Sequence, residues 1–139
     1  MSDPTRPYDR HFDHPSRFSA DEWAARVQLA AAYRIFDHMG WSELIYNHIS
    51  LRVPGPERHF LINPFGLHYS EVRASNLVKV DIEGNIVGHS DWPINPAGFT
   101  FHGAIHRARP VRILPLARFL FARVSATVIE MSPCGARIA

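Results

Sequence analysis

The sequence predicts an α/β fold in which two helices pack against a mainly antiparallel sheet, as an α+β or a layered α/β/α arrangement. Apolar residues at helical spacing predict one helix at about residues 20–38, and a second helix is expected at about 98–108. Between them lie short alternating or β-branched segments separated by Pro and Gly, which is typical of antiparallel hairpins. The order helix, strands, helix indicates layers around a single sheet.

The first helix has a signal at each end. Ser19 and Glu22 form the Ser-x-x-Glu pattern of a capping box. Gly40 stands where many helices end with a residue in the left-handed conformation. The apolar residues that recur at helical spacing predict its buried face: Trp23, Val27, Ala30, Ala31 and Ile35.

The first predicted hairpin follows this helix. Residues 47–53 alternate in character, so a half-buried strand is expected, with Ile49 on the buried face and Ser50 on the other. A Pro-Gly-Pro turn at 54–56 leads to the partner strand at 59–63.

The remaining elements are shorter. Residues 70–74 predict one helical turn, and residues 77–82 and 86–88 predict two strands around a tight turn in which Gly84 takes a positive φ. The second helix, about 98–108, ends at Pro110 because proline cannot continue it. Its predicted packing residues are Phe99, Phe101, Ile105 and Ala108.

Composition narrows the class of protein. The 139 residues are 46% hydrophobic and 20% charged, which suits one soluble domain. No stretch approaches the roughly 18 consecutive apolar residues of a membrane span. Residues 1–18 are expected to be a flexible N-terminal arm without the apolar core of a secretory signal. A single cysteine excludes an internal disulfide, so a cytoplasmic protein is predicted.

The basic pI of 9.0 does not indicate nucleic-acid binding. Residues 1–110 hold 11 Lys and Arg against 12 Asp and Glu, whereas residues 111–139 hold four Arg and one Glu. The basicity therefore belongs to the last segment, and the body carries no basic run with interleaved aromatic residues.

Four segments resemble, in order, the motifs of class II aldolase/adducin domains. Residues 44–53 resemble the family's Gly-Asn-x-Ser-x-Arg strand, and residues 61–69 resemble its Ile-Thr-Pro-x-Gly-x-x-Tyr loop. Residues 77–87 resemble its Val-x-Val-Asp hairpin, and residues 101–110 resemble the helix that ends in Arg-Pro-Asp. The resemblance implies the N-terminal part of an α/β/α sandwich around a mainly antiparallel sheet, with a partial domain at 19–110.

The resemblance also implies a chemistry. Aldolases of this family hold a divalent zinc-type ion through three histidines, two of them in a His-x-His motif, and use a glutamate at the start of the second helix for acid–base catalysis. The metal polarises a carbonyl while the carboxylate moves protons. Family members commonly form homo-oligomers, so a homo-oligomer is expected here.

The family's functional residues carry over poorly. Candidates for binding substrate or phosphate are Asn47, His48, Ser50, Asn63 and Gly66, with hydrogen bonding in strands and turns as the alternative interpretation. Residues 96–98, Pro-Ala-Gly, stand where the family has its phosphate serines and catalytic glutamate, so no catalytic residue is assigned. These departures resemble the adducin-like branch, in which the domain is the non-enzymatic head of a cytoskeletal protein. A cytoskeletal partner follows only from that analogy.

His102 and His106 are weak candidates for metal ligands. Their i, i+4 spacing can place two imidazoles on one ion. No glutamate lies between them and no third ligand is evident, so packing or helix capping is the favoured interpretation. The family implies zinc, but we expect this chain not to bind it.

Residues 111–139 form an atypical Arg-rich tail without histidine or clear periodicity. A reading-frame slip near codon 110 is the leading hypothesis, and a divergent tail or another truncation are the alternatives. The predicted function is an incomplete, catalytically inert family member. The first alternative is a metal-dependent aldehyde-lyase acting on a phosphorylated sugar or related hydroxy-carbonyl compound. The second is a non-catalytic, adducin-like interaction module.

Overall fold

The computed structural model describes residues 17–42 and 44–108 in full and the backbone of residues 113–116. The predicted arm therefore lies outside the described residues except for its last two positions, as does most of the predicted tail. None of the helices in the described part is long and apolar enough to cross a membrane.

Two helices, four strands and one short 3-10 helix make up the described part. All neighbouring strands are antiparallel, and the sheet order is β3-β2-β1-β4. In chain order the elements are α1 (Ala20–His38), β1 (His48–Arg52), β2 (Phe60–Ile62), the 3-10 helix (Tyr69–Glu71), β3 (Val78–Val80), α2 (Pro96–Ala108) and β4 (Ile113–Leu116).

Both predicted ends of α1 are confirmed. The Ser19 hydroxyl accepts a hydrogen bond from the Glu22 N–H at 3.2 Å. Gly40 has φ 67°, its N–H donates to the Asp37 carbonyl, and the Trp41 N–H donates to that of Phe36. This pair of bonds is a Schellman motif, which satisfies carbonyls that the helix leaves without an internal partner.

The predicted buried face of α1 is wrong for Val27 and Ile35, although Ala30 does pack against the core. Val27 and Ile35 are 48% and 57% exposed. The buried residues are instead Glu22, Ala25, Arg26, Leu29 and Tyr33.

A buried ion pair lies on the observed buried face of α1. Glu22 accepts from Arg26 Nε at 2.9 Å and from Lys79 Nζ, on β3, at 2.7 Å. Arg26 also donates to the Leu77 carbonyl at 2.7 Å, and its guanidinium lies 3.9 Å from the centroid of the Phe18 ring. Because buried charges must be paired, these contacts allow the side of α1 that carries Glu22 and Arg26 to face the sheet together with Ala25, Leu29 and Tyr33.

The sheet differs from the prediction at its edges. The predicted returning strand at 86–88 is reduced to a single bridge between Val80 and Ile86, although Gly84 has the predicted positive φ of 96°. Sequence patterns predict no element after Pro110, yet β4 pairs with β1, with Ile49 opposite Pro115.

β1 is buried on both faces, so the expectation of a half-buried strand is wrong. Ile49 and Leu51 pack with Leu29 of α1 in the larger apolar core. His48 and Ser50, on the other face, contact α2. The described elements therefore form helix, sheet and helix layers, with the second, smaller core on the α2 side: Phe60, Ile62, Val78 and Val80.

α2 begins at Pro96, two residues before the predicted start. The Asn95 side chain accepts from the Ala97 N–H at 3.0 Å and so caps the helix, which places proline at a position that needs no N–H donor. Phe101, expected in the core, is 56% exposed, and Ala108 is also exposed. The buried residues of α2 are Gly98, His102, Gly103 and His106.

Candidate functional site

A serine hydroxyl lies between two imidazoles at the interface of β1 and α2. Ser50 Oγ is 2.6 Å from His102 Nδ1 and 2.8 Å from His106 Nε2. The two histidines reach the same hydroxyl because residues four apart share one face of a helix. A hydroxyl has one proton, so it donates to one ring, and the facing nitrogen of the other ring must carry a proton and donate to the hydroxyl.

His48 extends this group toward the start of α2. Its ring meets that of His102 edge-on, with centroids 6.0 Å apart. It also lies against Gly98, where an added Cβ would be 2.8 Å from both Cε1 and Nδ1 of the ring. Within the described residues, Nε2 of His48 and of His102 are buried without a hydrogen-bond partner. We call His48, Ser50, His102 and His106 the histidine cluster.

Two rings of the histidine cluster, those of His48 and His102, are held uncharged by their surroundings. Burial lowers the pKa of His48 to about 4. Burial, together with the neighbouring His48 and His106, lowers the pKa of His102 to about 3. Both rings are therefore neutral at pH 7. His106 stacks on Phe60, with ring centroids 4.6 Å apart.

A second polar centre lies on the α1 side of the sheet and was missed by sequence reasoning. Tyr33 Oη is 2.6 Å from the Ile49 carbonyl oxygen and 2.9 Å from Asn63 Oδ1, and it accepts from the Ile49 N–H at 2.8 Å. Burial, and next the adjoining Tyr69, raise the pKa of Tyr33. Ala25, Leu29 and Tyr33 are four residues apart, and this spacing was the signal that could have identified the tyrosine.

The predicted binding residues fall on both sides of the sheet. His48 and Ser50 meet on the α2 side, whereas Asn63 joins Tyr33 on the α1 side. Asn47 donates to the Trp41 carbonyl at 3.1 Å, and Gly66 is an exposed turn residue with φ 96°. The five residues do not line one pocket, and their role in binding substrate or phosphate stays a prediction.

The histidine cluster does not fit a zinc ion. One nitrogen of each ring, Nδ1 of His102 and Nε2 of His106, is already hydrogen-bonded to Ser50. Across residues 17–42 and 44–108, no three His, Cys, Asp or Glu side chains are arranged to hold a metal. A structural zinc site needs four such ligands and a catalytic one usually three.

The chemistry open to the histidine cluster is limited by access. A hydroxyl beside a neutral imidazole has the composition of an activated nucleophile. Ser50 and His102 have no exposed surface, however, and His106 and His48 are only 2% and 3% exposed. In this arrangement no substrate atom reaches the hydroxyl, and the cluster joins β1 to α2.

Comparison with known proteins gives one consistent family. Residues 27–112 match the model of the Class II Aldolase and Adducin N-terminal domain. A putative aldolase class 2 protein of Caulobacter vibrioides is 56% identical over 93 residues, 67% of this chain and 36% of that protein. Alpha-adducin of Rattus norvegicus is 55% identical over 95 residues, 67% of this chain and 13% of that protein.

Solved structures give the same result. An aldolase II superfamily protein from Pseudomonas syringae superposes with a TM-score of 0.72 at 50% identity, over 74% of this chain and 42% of that one. L-fuculose 1-phosphate aldolase from Glaciozyma antarctica PI12 has a TM-score of 0.65 at 36% identity, over 70% and 41%. The chain thus spans less than half the length of each of these relatives.

Proposed function

The chain belongs to the class II aldolase and adducin N-terminal domain family, and we propose that these 139 residues do not catalyse an aldol reaction. The first turn of α2 carries the proposal, because it contains Pro96, Ala97 and Gly98 and no acidic residue. Family resemblance assigns the acid–base glutamate to this turn. Without a carboxylate there, this turn offers no group to move the proton that aldol cleavage requires.

The histidine cluster does not substitute for the missing carboxylate. A general base must come within hydrogen-bond reach of the proton it removes. His102 has no exposed surface, and its Nδ1 is engaged with the Ser50 hydroxyl at 2.6 Å. This geometry supports a structural role for the cluster.

Activity and metal content of the purified chain test the proposal together. The protein would be incubated with zinc and L-fuculose 1-phosphate, and aldehyde release measured beside the Glaciozyma antarctica aldolase as a positive control. We expect no release above the protein-free control and no stoichiometric zinc after dialysis. Turnover that a chelator abolishes and zinc restores would contradict the proposal.

A metal-dependent aldehyde-lyase acting on a phosphorylated sugar is the second candidate, favoured by the 36% identity to L-fuculose 1-phosphate aldolase. It requires residues beyond those described to supply further metal ligands beside His102 and His106, and also the proton-transferring group. In the same assay, loss of activity and of bound zinc in the His102→Ala/His106→Ala variant would favour it.

A non-catalytic interaction module is the third candidate, favoured by the 55% identity to alpha-adducin. The outer surface of α1 and its end expose Val27, Ile35 and Met39, which a partner could cover. Light scattering would detect a homo-oligomer, and affinity capture from cytosol would detect a cytoskeletal partner. A monomer that captures only chaperones would argue against this candidate. Each of these candidates assumes a cytoplasmic protein.

A further inference from the structure

We infer that His48 and Gly98 are a size-matched pair, in which the imidazole occupies the volume that any side chain at position 98 would need. This inference deepens the proposed function and rests on it, because it explains why position 98 in the first turn of α2 cannot accommodate a carboxylate. It concerns two residues on different elements, β1 and α2, separated by fifty positions in the chain.

The contact distances carry the inference. A Cβ built at Gly98 would lie 2.8 Å from Cε1, 2.8 Å from Nδ1 and 2.9 Å from Cγ of His48. Carbon atoms in contact are normally about 3.5 to 4.0 Å apart, so a methyl group at position 98 already overlaps the ring. Position 98 has an ordinary helical backbone, and the glycine is therefore required by the neighbouring ring rather than by φ.

The His48 ring has little room to move away. His48 belongs to β1, which has strands on both sides, and the residue is 3% exposed. Its ring also meets His102 edge-on at 6.0 Å. A side chain enclosed in this way leaves its place only by shifting the strand or the helix.

Ala97 supplies a control one residue away. It lies in the same turn but is exposed, so a carboxylate at position 97 meets no ring and points to solvent. A negative charge near a helix N-terminus is favourable in itself. Loss of stability in Gly98→Glu but not in Ala97→Glu would therefore reflect the His48 ring and not the charge.

The test is a cycle of four full-length proteins: the natural chain, Gly98→Ala, His48→Ala and the double variant, each followed by thermal unfolding. Alanine stabilises a helix relative to glycine when nothing obstructs it, so the sign of the change is diagnostic. We expect Gly98→Ala to lower Tm in the natural chain and to leave it unchanged or raise it in the His48→Ala background. Equal shifts of Tm in the two backgrounds, or a rise in both, would overturn the inference.

If Gly98→Ala does not fold, rescue by His48→Ala decides the question. A dispersed amide NMR spectrum for the double variant supports the pair. An unfolded double variant beside a folded His48→Ala protein refutes it. A second measurement follows the His48 ring protons during a pH titration of the natural chain and of Gly98→Ala. A ring displaced by the new methyl group should have a pKa closer to that of an ordinary histidine than the enclosed ring of the natural chain has.

Failure of this inference is distinguishable from failure of the proposed function. The cycle reports only on packing between residues 48 and 98. Cleavage of L-fuculose 1-phosphate by the natural chain would refute catalytic inertness, whatever the outcome of the cycle. Additive shifts of Tm would refute the size-matched pair while leaving inertness intact.

Discussion

Replacing Tyr33 by phenylalanine removes one oxygen atom from the α1 side of the sheet. That oxygen contacts both the N–H and the carbonyl of Ile49, at 2.8 and 2.6 Å. The β1–β2 register places Ile49 opposite Asn63, two residues beyond the Leu51–Leu61 pair. The Tyr33 hydroxyl thus takes the place of the two backbone hydrogen bonds that Ile49 would otherwise exchange with Asn63.

The size of the effect follows from what the substitution leaves behind. Phenylalanine has nearly the same shape, so no large cavity forms. Two backbone groups of Ile49, which is 1% exposed, lose their partner. Each of the two buried unsatisfied groups costs about 1 to 3 kcal/mol, so Tyr33→Phe should destabilise the fold by roughly 2 to 6 kcal/mol.

Tyr69 provides a matched control. It lies against Tyr33, with ring centroids 4.6 Å apart, and it is 1% exposed. Its hydroxyl makes no hydrogen bond within the described part of the chain. Tyr69→Phe therefore leaves no described group without its partner, and we expect a change below about 1 kcal/mol.

Urea unfolding followed by tryptophan fluorescence measures both variants. With a slope of about 2 kcal/mol per molar urea, the midpoint for Tyr33→Phe should fall by roughly 1 to 3 M. The midpoint for Tyr69→Phe should move by a small fraction of that shift. Equal midpoints for the two variants would show that the Tyr33 hydroxyl does not hold β1 in place.

Three further predictions follow from the buried polar groups. The pKa values of His48 and His102 in the folded state lie below the unfolded value, so the free energy of unfolding should be highest above about pH 6.5. It should fall toward pH 4 by about 1.4 kcal/mol per pH unit per histidine. Measuring the urea midpoint as a function of pH tests this, and a midpoint that does not change with pH contradicts it. Glu22→Gln removes the buried carboxylate that Lys79 contacts at 2.7 Å and should lower the free energy of unfolding by about 3 to 5 kcal/mol. Thermal unfolding measures this. A decrease below about 1 kcal/mol would show that the ion pair is solvated. Arg58→Ala removes a donor to the last carbonyls of α2 and should cost about 1 kcal/mol of stability. Amide hydrogen exchange should become faster only at the end of that helix. An equal increase in exchange rate along the whole chain would argue against a capping role.

Features that depend on neighbouring residues were predictable from the sequence. Ser19 and Gly40 bound α1 because each acts on backbone groups within a few residues of itself. Gly84 was identified for the same reason, since its positive φ belongs to a tight turn. The pairing of β1 with β2 followed from the turn that joins them.

Features that depend on distant partners were not predictable. Glu22 lies on the buried face of α1 with Lys79, which belongs to strand β3, as its partner. The buried face of α2 carries histidines and glycines because it packs on Ser50 and His48, a match that helical periodicity does not encode. The candidate site was identified only in part, because Tyr33 resembles an ordinary core aromatic residue until its contact with Ile49 is known.

β4 also shows how a proline can lie within a sheet. The N–H and carbonyl of Ile49 both bond to Tyr33 on the β2 side, so they point away from β4. Pro115 is opposite Ile49. A ladder bond is therefore not expected from this position, and the missing N–H of proline carries no penalty there.

The central position of β1 sets an order for folding on the ribosome. β1 and β2 are close in sequence, so their hairpin can form as soon as both have emerged. β4 meets β1 across a separation of roughly sixty residues, and closing so long a loop is entropically slower. Throughout that interval one edge of β1 has no strand beside it, which leaves the nascent chain open to pairing with another chain until residues 113–116 arrive.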